Sequence, residues 1–190
     1  LVKARELQKI VTSEMEVFFD LCPCHIYAVT GSDGKSTTTT LISELLKAEG
    51  KKVWLGGNIG KALLPRIEEI NQNDAAVVEL SSFQLISMRR SPDVAVITNV
   101  APNHLDVHKD MNEYIDAKKN LILHQNAFSK TVLNADNEIT RNMQSLVRGS
   151  LNWFSRKIIP QNGAFLAEDG FVNLVKNGEV TRIMHKDQIR

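Results

Sequence analysis

The chain has 190 residues, 43% hydrophobic and 24% charged, with a formal net charge of +1. That length supports one substantial core, and the near-neutral charge argues against nucleic acid or an anionic membrane surface as partner. No apolar stretch nears the ~18 residues of a membrane span, no signal-peptide pattern is present, and two cysteines are too few for a disulfide framework or a four-ligand zinc site. The expectation is a cytoplasmic, monomeric enzyme acting on small molecules.

Leu1–Leu7 reads as the tail of a helix from an upstream domain, with residues 1–12 as linker and 13–190 as one domain. Ser13-Glu14-Met15-Glu16 has the Ser-x-x-Glu form of a capping box and predicts a helix to Leu21. Cys22 and Cys24 flank Pro23 and read as reduced thiols. Ile26–Val29 is a strand. Ser36–Glu49 carries Leu41, Ile42, Leu45 and Leu46 at helical spacing and stops at Gly50. Val53–Leu55 is a short strand and Leu63–Ile70 a helix. Ala75–Val78 is a continuous apolar run, as in a strand buried on both faces of a parallel sheet. A helix over Phe83–Arg89 ends before Pro92, and Val94–Ile97 is a second buried strand. Asn112 is placed to cap a helix through Tyr114, Ala117, Leu121 and Ile122. Thr131–Leu133 is a strand and Glu138–Val147 a helix.

This alternation predicts an α/β fold with a doubly wound, mostly parallel sheet. After Leu151 the pattern changes to short runs, Leu151–Phe154, Ala164–Ala167, Phe171–Val175 and Val180–Met184. Asn162-Gly163, Asp169-Gly170 and Asn177-Gly178 fall between them and signal hairpins. The expectation is a small antiparallel β meander near the C-terminus.

The most informative stretch is Thr30-Gly31-Ser32-Asp33-Gly34-Lys35-Ser36-Thr37, between a strand and a helix. Two glycines allow a tight turn whose N–H groups point at an anion, and the helix that follows aims its positive end at the same place. Lys35 supplies charge for the β- and γ-phosphates of ATP, and the Ser36 hydroxyl reaches Mg²⁺. Gly31, Ser32, Asp33, Gly34, Lys35, Ser36 and Thr37 are therefore candidate ATP-binding residues. The common G-x-x-x-x-G-K-[ST] loop would need its first glycine at Val29, so the spacing argues against a kinase- or GTPase-type phosphotransferase. Such a module remains the alternative from another class. Glu79 ends a buried strand, where a carboxylate is expensive unless it is paired or metal-bound.

The T-G-x-x-G-K-S-T form resembles the Mur ligases and their relative folylpolyglutamate synthase. Four more segments carry the resemblance in the same order. They are Gly56-Gly57-Asn58-Ile59-Gly60, Glu79-Leu80-Ser81-Ser82-Phe83-Gln84-Leu85, Thr98-Asn99-Val100-Ala101-Pro102-Asn103-His104-Leu105-Asp106 and Tyr114-Ile115-Asp116-Ala117-Lys118. It is dense between Ala28 and Asp136 and thin after Leu151. It implies the central, ATP-binding domain of an ATP-dependent amide ligase of peptidoglycan precursor synthesis, working through an acyl phosphate. GGNIG together with ELSSFQL is most similar to members that add D-glutamate to UDP-N-acetylmuramoyl-L-alanine. Another Mur ligase or folylpolyglutamate synthase is the alternative within the class. The resemblance also implies site roles. Ser36 and Glu79 hold a first Mg²⁺; His104 and a carbamate on Lys118 hold a second. Asn58 contacts substrate or phosphate, and Ser81, Gln84 and His104 lie near the muramoyl substrate. A burial-lowered lysine pKa would favour carbamate formation. His108 and Asp106 have no counterpart and read as surface or supporting residues. A UDP-gripping domain before Leu1 and an amino-acid-binding domain after Arg190 would complete the family architecture, and the central domain itself is expected to be incomplete at its C-terminal end.

Overall fold

The computed structural model describes residues 3, 6–9, 11–102 and 108–189. Most of the expected N-terminal helical tail, and His104 and Asp106, lie outside them. Among the described residues nine strands form one sheet. They are β1 (His25–Thr30), β2 (Val53–Gly57), β3 (Ala75–Glu79), β4 (Val94–Ile97), β5 (Lys130–Asn134), β6 (Ser150–Ser155), β7 (Gly163–Leu166), β8 (Phe171–Lys176) and β9 (Glu179–His185). The α-helices given in full among the described residues are α1 (Glu14–Leu21), α2 (Lys35–Ala48), α3 (Ser82–Leu85), α4 (Met111–Leu123) and α5 (Glu138–Asn142).

The strand order is β2-β3-β1-β4-β5-β6-β7-β8-β9. The chain leaves β1 toward one side of the sheet and returns to build β4 on the other. The order therefore reverses beside β1, and its carboxyl end is where such sheets hold ligands. Val29 lies opposite Glu79, and Thr30 opposite Ile97. β3 is buried along its whole length, and Ala28, Val78, Leu80, Ile97 and Leu133 are fully enclosed in the core. Of these strands, β3 up to Val78 and β4 are the ones whose sequence is an unbroken apolar run.

Pairing stays parallel from β2 through β7. Only β7–β8 and β8–β9 are antiparallel. The predicted meander is thus shorter than expected and continuous with the main sheet. Asn162-Gly163 is not a hairpin turn. Trp153 N donates to Asn162 O (3.0 Å), so the link turns over and β7 runs beside β6 in the same direction. Asn177-Gly178, with φ of 53° and 82°, does form the two-residue turn of a hairpin.

Two helices, α3 and α5, are shorter than their patterns predict, and in α3 a side chain from elsewhere captures a backbone group. α3 stops at Leu85, and the Arg89 N–H goes instead to Glu16 Oε1 at 2.8 Å. The same carboxylate turns away from its own helix end. Ser13 caps α1, but Glu16 binds Thr12 and Arg89, so the capping box is half formed. Burial pushes the Glu16 carboxyl up, but the bonds from Arg89 and Thr12 outweigh it and hold it below the usual carboxylate range. Asp110 rather than Asn112 caps α4, accepting from Glu113 N at 2.9 Å. Leu64–Glu69, with Pro65 in its first turn, is a 3-10 helix. The predicted helix after β5 splits into α5 and a 3-10 turn over Met143–Leu146.

Candidate active site

The loop between β1 and α2 is built for an anion. Gly34 caps α2 with φ +75°, a left-handed conformation natural to glycine, and no side chain occupies the cap. The first-turn N–H groups therefore lack a side-chain acceptor from the cap position. Gly31 lies so close to the next strand that a Cβ would overlap Thr98 Oγ1. Asn99 pins the loop: its side-chain oxygen accepts from Ser32 N (3.0 Å) and Asp33 N (2.9 Å). Thr98 Oγ1 donates to Asp33 O at 2.6 Å. Ser32 is buried, and its hydroxyl donates to Ala101 O (2.9 Å) and meets Tyr114 OH (3.1 Å). Its side chain serves the loop's shape, whereas Gly34, Ser36 and Thr37 are exposed. Lys35 Nζ folds onto Ser32 O at 2.9 Å.

Below the loop, at the end of β3, Glu79 is 1% exposed. Ser36 Oγ donates to one carboxylate oxygen (2.7 Å), and Asn58 Nδ2 to the other (3.0 Å). Both partners are neutral, and no cationic side chain pairs with Glu79 among the described residues. A buried carboxylate in this state lacks a countercharge. Its oxygen-rich surroundings suit a hard cation such as Mg²⁺.

Lys118, on α4, is also 1% exposed. Its amine donates to Gly31 O (2.9 Å) and, at 3.5 Å, to Thr30 Oγ1, and lies 4.4 Å from the Tyr114 ring centroid. Burial, and secondarily the nearby Lys35 charge, pull its pKa down to about 7. Lys119 instead points out to Asp116 at 2.8 Å.

A cleft of about 240 Å³ joins these parts. Gly31, Lys35, Asn58, Ser81, Ser82, Phe83, Tyr114 and Lys118 line it. Ser81 caps α3 by accepting from Gln84 N, and Gln84 Oε1 accepts from Ser81 N at 3.0 Å. Gln84 is therefore engaged in a capping box.

His108 is not a surface residue. It is 4% exposed, stacks on Phe83 (centroids 5.1 Å apart) and shares a 2.8 Å hydrogen bond with Ser82 Oγ. It buttresses one wall of the cleft. Asn99, Tyr114, Phe83 and His108 were given no site role by sequence reasoning, although Asn99 and Tyr114 stand inside the quoted motifs. Their contacts span distant segments, which spacing along the chain does not reveal. Among the described residues no group of three or more His, Cys, Asp or Glu is placed to hold a metal.

A phosphate-binding loop at the switch point of a parallel sheet, with a buried carboxylate and a buried lysine beside it, defines a nucleotide-dependent group-transfer domain. The chain belongs to the Mur ligase family: the Mur ligase middle domain matches residues 29–184. UDP-N-acetylmuramoylalanine–D-glutamate ligase of Acetivibrio thermocellus is 58% identical over 172 residues, 90% of this chain and 37% of the relative. The ligase of that name from Clostridium acetobutylicum is 51% identical over 191 residues, all of this chain and 40% of the relative. The chain thus spans about two fifths of the length of these curated relatives. Two solved structures share the fold. A UDP-N-acetylmuramoyl-L-alanyl-D-glutamate–2,6-diaminopimelate ligase has a TM-score of 0.67 at 20% identity, covering 85% of this chain and 39% of that one. MurF of Thermotoga maritima in complex with ADP has 0.65 at 19%, covering 92% and 45%.

Proposed function

We propose that the chain is the ATP-binding domain of a ligase that joins D-glutamate to UDP-N-acetylmuramoyl-L-alanine in cell-wall precursor synthesis. The observation that carries this reading is the buried Glu79 carboxylate, held only by Ser36 and Asn58 at the foot of the phosphate loop. The choice of D-glutamate rests on the names of the relatives in the preceding subsection. In this reading the loop N–H groups and Lys35 hold the triphosphate. Lys35 leaves Ser32 O to do so and offsets the repulsion between the triphosphate and the substrate carboxylate. The carboxylate attacks the γ-phosphorus, ADP leaves, and the amine displaces phosphate from the acyl phosphate. Mg²⁺, bound through Ser36 and Glu79, would supply charge neutralisation at the phosphates.

Lys118 is read as a carbamate. With a pKa near 7, much of its amine is neutral at neutral pH and able to take up CO₂. The product anion would lie by Gly31, in the same cleft, as a ligand to a second Mg²⁺ with His104. Asn58, Ser81 and Gln84 are read as facing substrate, Gln84 by its free amide nitrogen. Flanking domains, before and after this segment, would grip the UDP group and the amino acid; the working unit is read as a cytoplasmic monomer. No described helix is long and apolar enough to cross a membrane.

The test is phosphate release by the intact protein. It should require ATP, UDP-N-acetylmuramoyl-L-alanine and D-glutamate together. Residues 1–190 alone should form no product, because aligning the reactants contributes about 7–11 kcal/mol in the ideal case. Release supported equally well by another amino acid or another nucleotide-linked acceptor would overturn the reading.

A further inference from the structure

The Cys22-Pro23-Cys24 segment has no part in the chemistry above. Cys22 is the C-cap of α1, its N–H donating to Phe18 O, and Cys24 leads directly into β1. The two sulfurs are 3.6 Å apart. Cys22 is half-buried, whereas Cys24 is 6% exposed. Pro23 biases the residue before it toward an extended conformation, and Cys22 has it, with φ −65° and ψ 119°. No His, Asp or Glu among the described residues joins the pair in a metal-binding group. The chemistry open to these sulfurs is therefore with each other.

We propose that Cys22 and Cys24 are a thiol–disulfide exchange site, in which a small disulfide oxidant enters at Cys22 and Cys24 resolves it to an intramolecular bridge. Of the two residues Cys22 is the more exposed, and the Cys24 sulfur lies within van der Waals contact of its own. The hydrogen bond shared with the Cys24 sulfur holds the Cys22 thiol below the ordinary range; the neighbouring Cys22 sulfur, and then burial, push Cys24 up. That division gives the outer sulfur the larger thiolate fraction. In the first step Cys22 thiolate attacks RS–SR, forming the Cys22–SR bond and releasing RS⁻, which takes up the proton lost by Cys22. In the second the Cys24 sulfur, losing its proton, attacks Cys22 Sγ and expels the second RS⁻, which takes that proton. Two thiols lose two protons and two electrons, and the oxidant becomes two RSH. The sulfurs need only close to about 2.05 Å. A bridge across one intervening residue makes a small, strained ring, so it should be readily reduced again. It would tighten the joint between α1 and the strand that carries the phosphate loop.

The experiment treats the intact protein with oxidised glutathione and weighs the peptide that carries both cysteines. The wild type should lose two hydrogens from that peptide and regain them with dithiothreitol. Cys24→Ser should accumulate glutathione on Cys22, and Cys22→Ser should leave Cys24 unmodified because it is buried. A wild type that keeps both thiols, stops at a glutathione adduct, or bridges between molecules would overturn the proposal. So would a Cys24→Ser protein that takes up no glutathione. The wild-type reading does not depend on either variant folding.

Discussion

The carboxyl ends of β1, β3 and β4 and the β7–β9 ribbon belong to one sheet but obey different rules. At the first, strands are covered on both faces, and two ionisable side chains, Glu79 and Lys118, are enclosed at 1% exposure. At the second, β9 is exposed over most of its length, with Val180 and Ile183 about half exposed, and its ion pair, Arg182 with Asp169, lies on the surface. Burial makes charge costly and therefore chemically potent; exposure makes it cheap and nearly silent. Only the first region is arranged so that a ligand would relieve something: Glu79 lacks a countercharge, and Lys35 and Lys118 repel.

The largest way to test that contrast is Lys35→Ala in the intact protein. Turnover should fall by at least ~10²–10³, as for loss of one preorganised charge-stabilising donor, with an unchanged circular dichroism spectrum. Wild-type turnover would remove the loop from the chemistry. Lys118→Ala should be comparably inactive and partly restored by a small added carboxylic acid, whereas Lys119→Ala should be nearly silent, because adjacent helical residues point about 100° apart. Kinetic assay of the pair with bicarbonate present checks this, and loss of activity at Lys119 alone would refute it.

Stability should divide the same way. Leu80→Ala, in the closed core, should cost about 2–5 kcal/mol, and Ile183→Ala, on the open ribbon, should stay within about 0.5 kcal/mol. Urea unfolding of the two variants would show it, and equal costs would erase the distinction. The remaining expected effect is in pH. The folded Lys118 pKa, near 7, lies below its ordinary 10.5, so between these values the unfolded chain binds more protons. Stability should therefore rise with pH across that window and be lost as pH falls toward 7. Lys118→Met should lack this slope in a series of unfolding midpoints taken under CO₂-free conditions, and an identical slope in both proteins would count against a buried, uncharged Lys118.

Legibility in the sequence followed the same divide. Ala75–Val78 and Val94–Ile97 were readable as buried parallel strands because apolar runs record burial on both faces. The phosphate loop was readable because glycine, lysine and hydroxyl must sit at fixed offsets between a strand and a helix. The ends of α1 and α2 were readable to within a residue, but those of α3 and α5 were not. α3 loses its last turn to Glu16, a residue far away in the chain that captures Arg89. The direction of β7 was not readable either, since Asn162-Gly163 looks like a hairpin turn locally and becomes a parallel link only through its pairing with Trp153.

Local chemistry alone therefore determined the element types, the α/β class and the identity of the loop residues, because backbone preference and side-chain periodicity act over a few neighbours. Tertiary structure decided that Lys118 is buried against Gly31 while Lys119 faces water, that Glu79 meets Ser36 and Asn58, and that His108 stands behind Phe83. Each of these depends on which strand lies beside which. That order is set by covering the most apolar strands on both faces, a condition on the whole chain that no single segment carries.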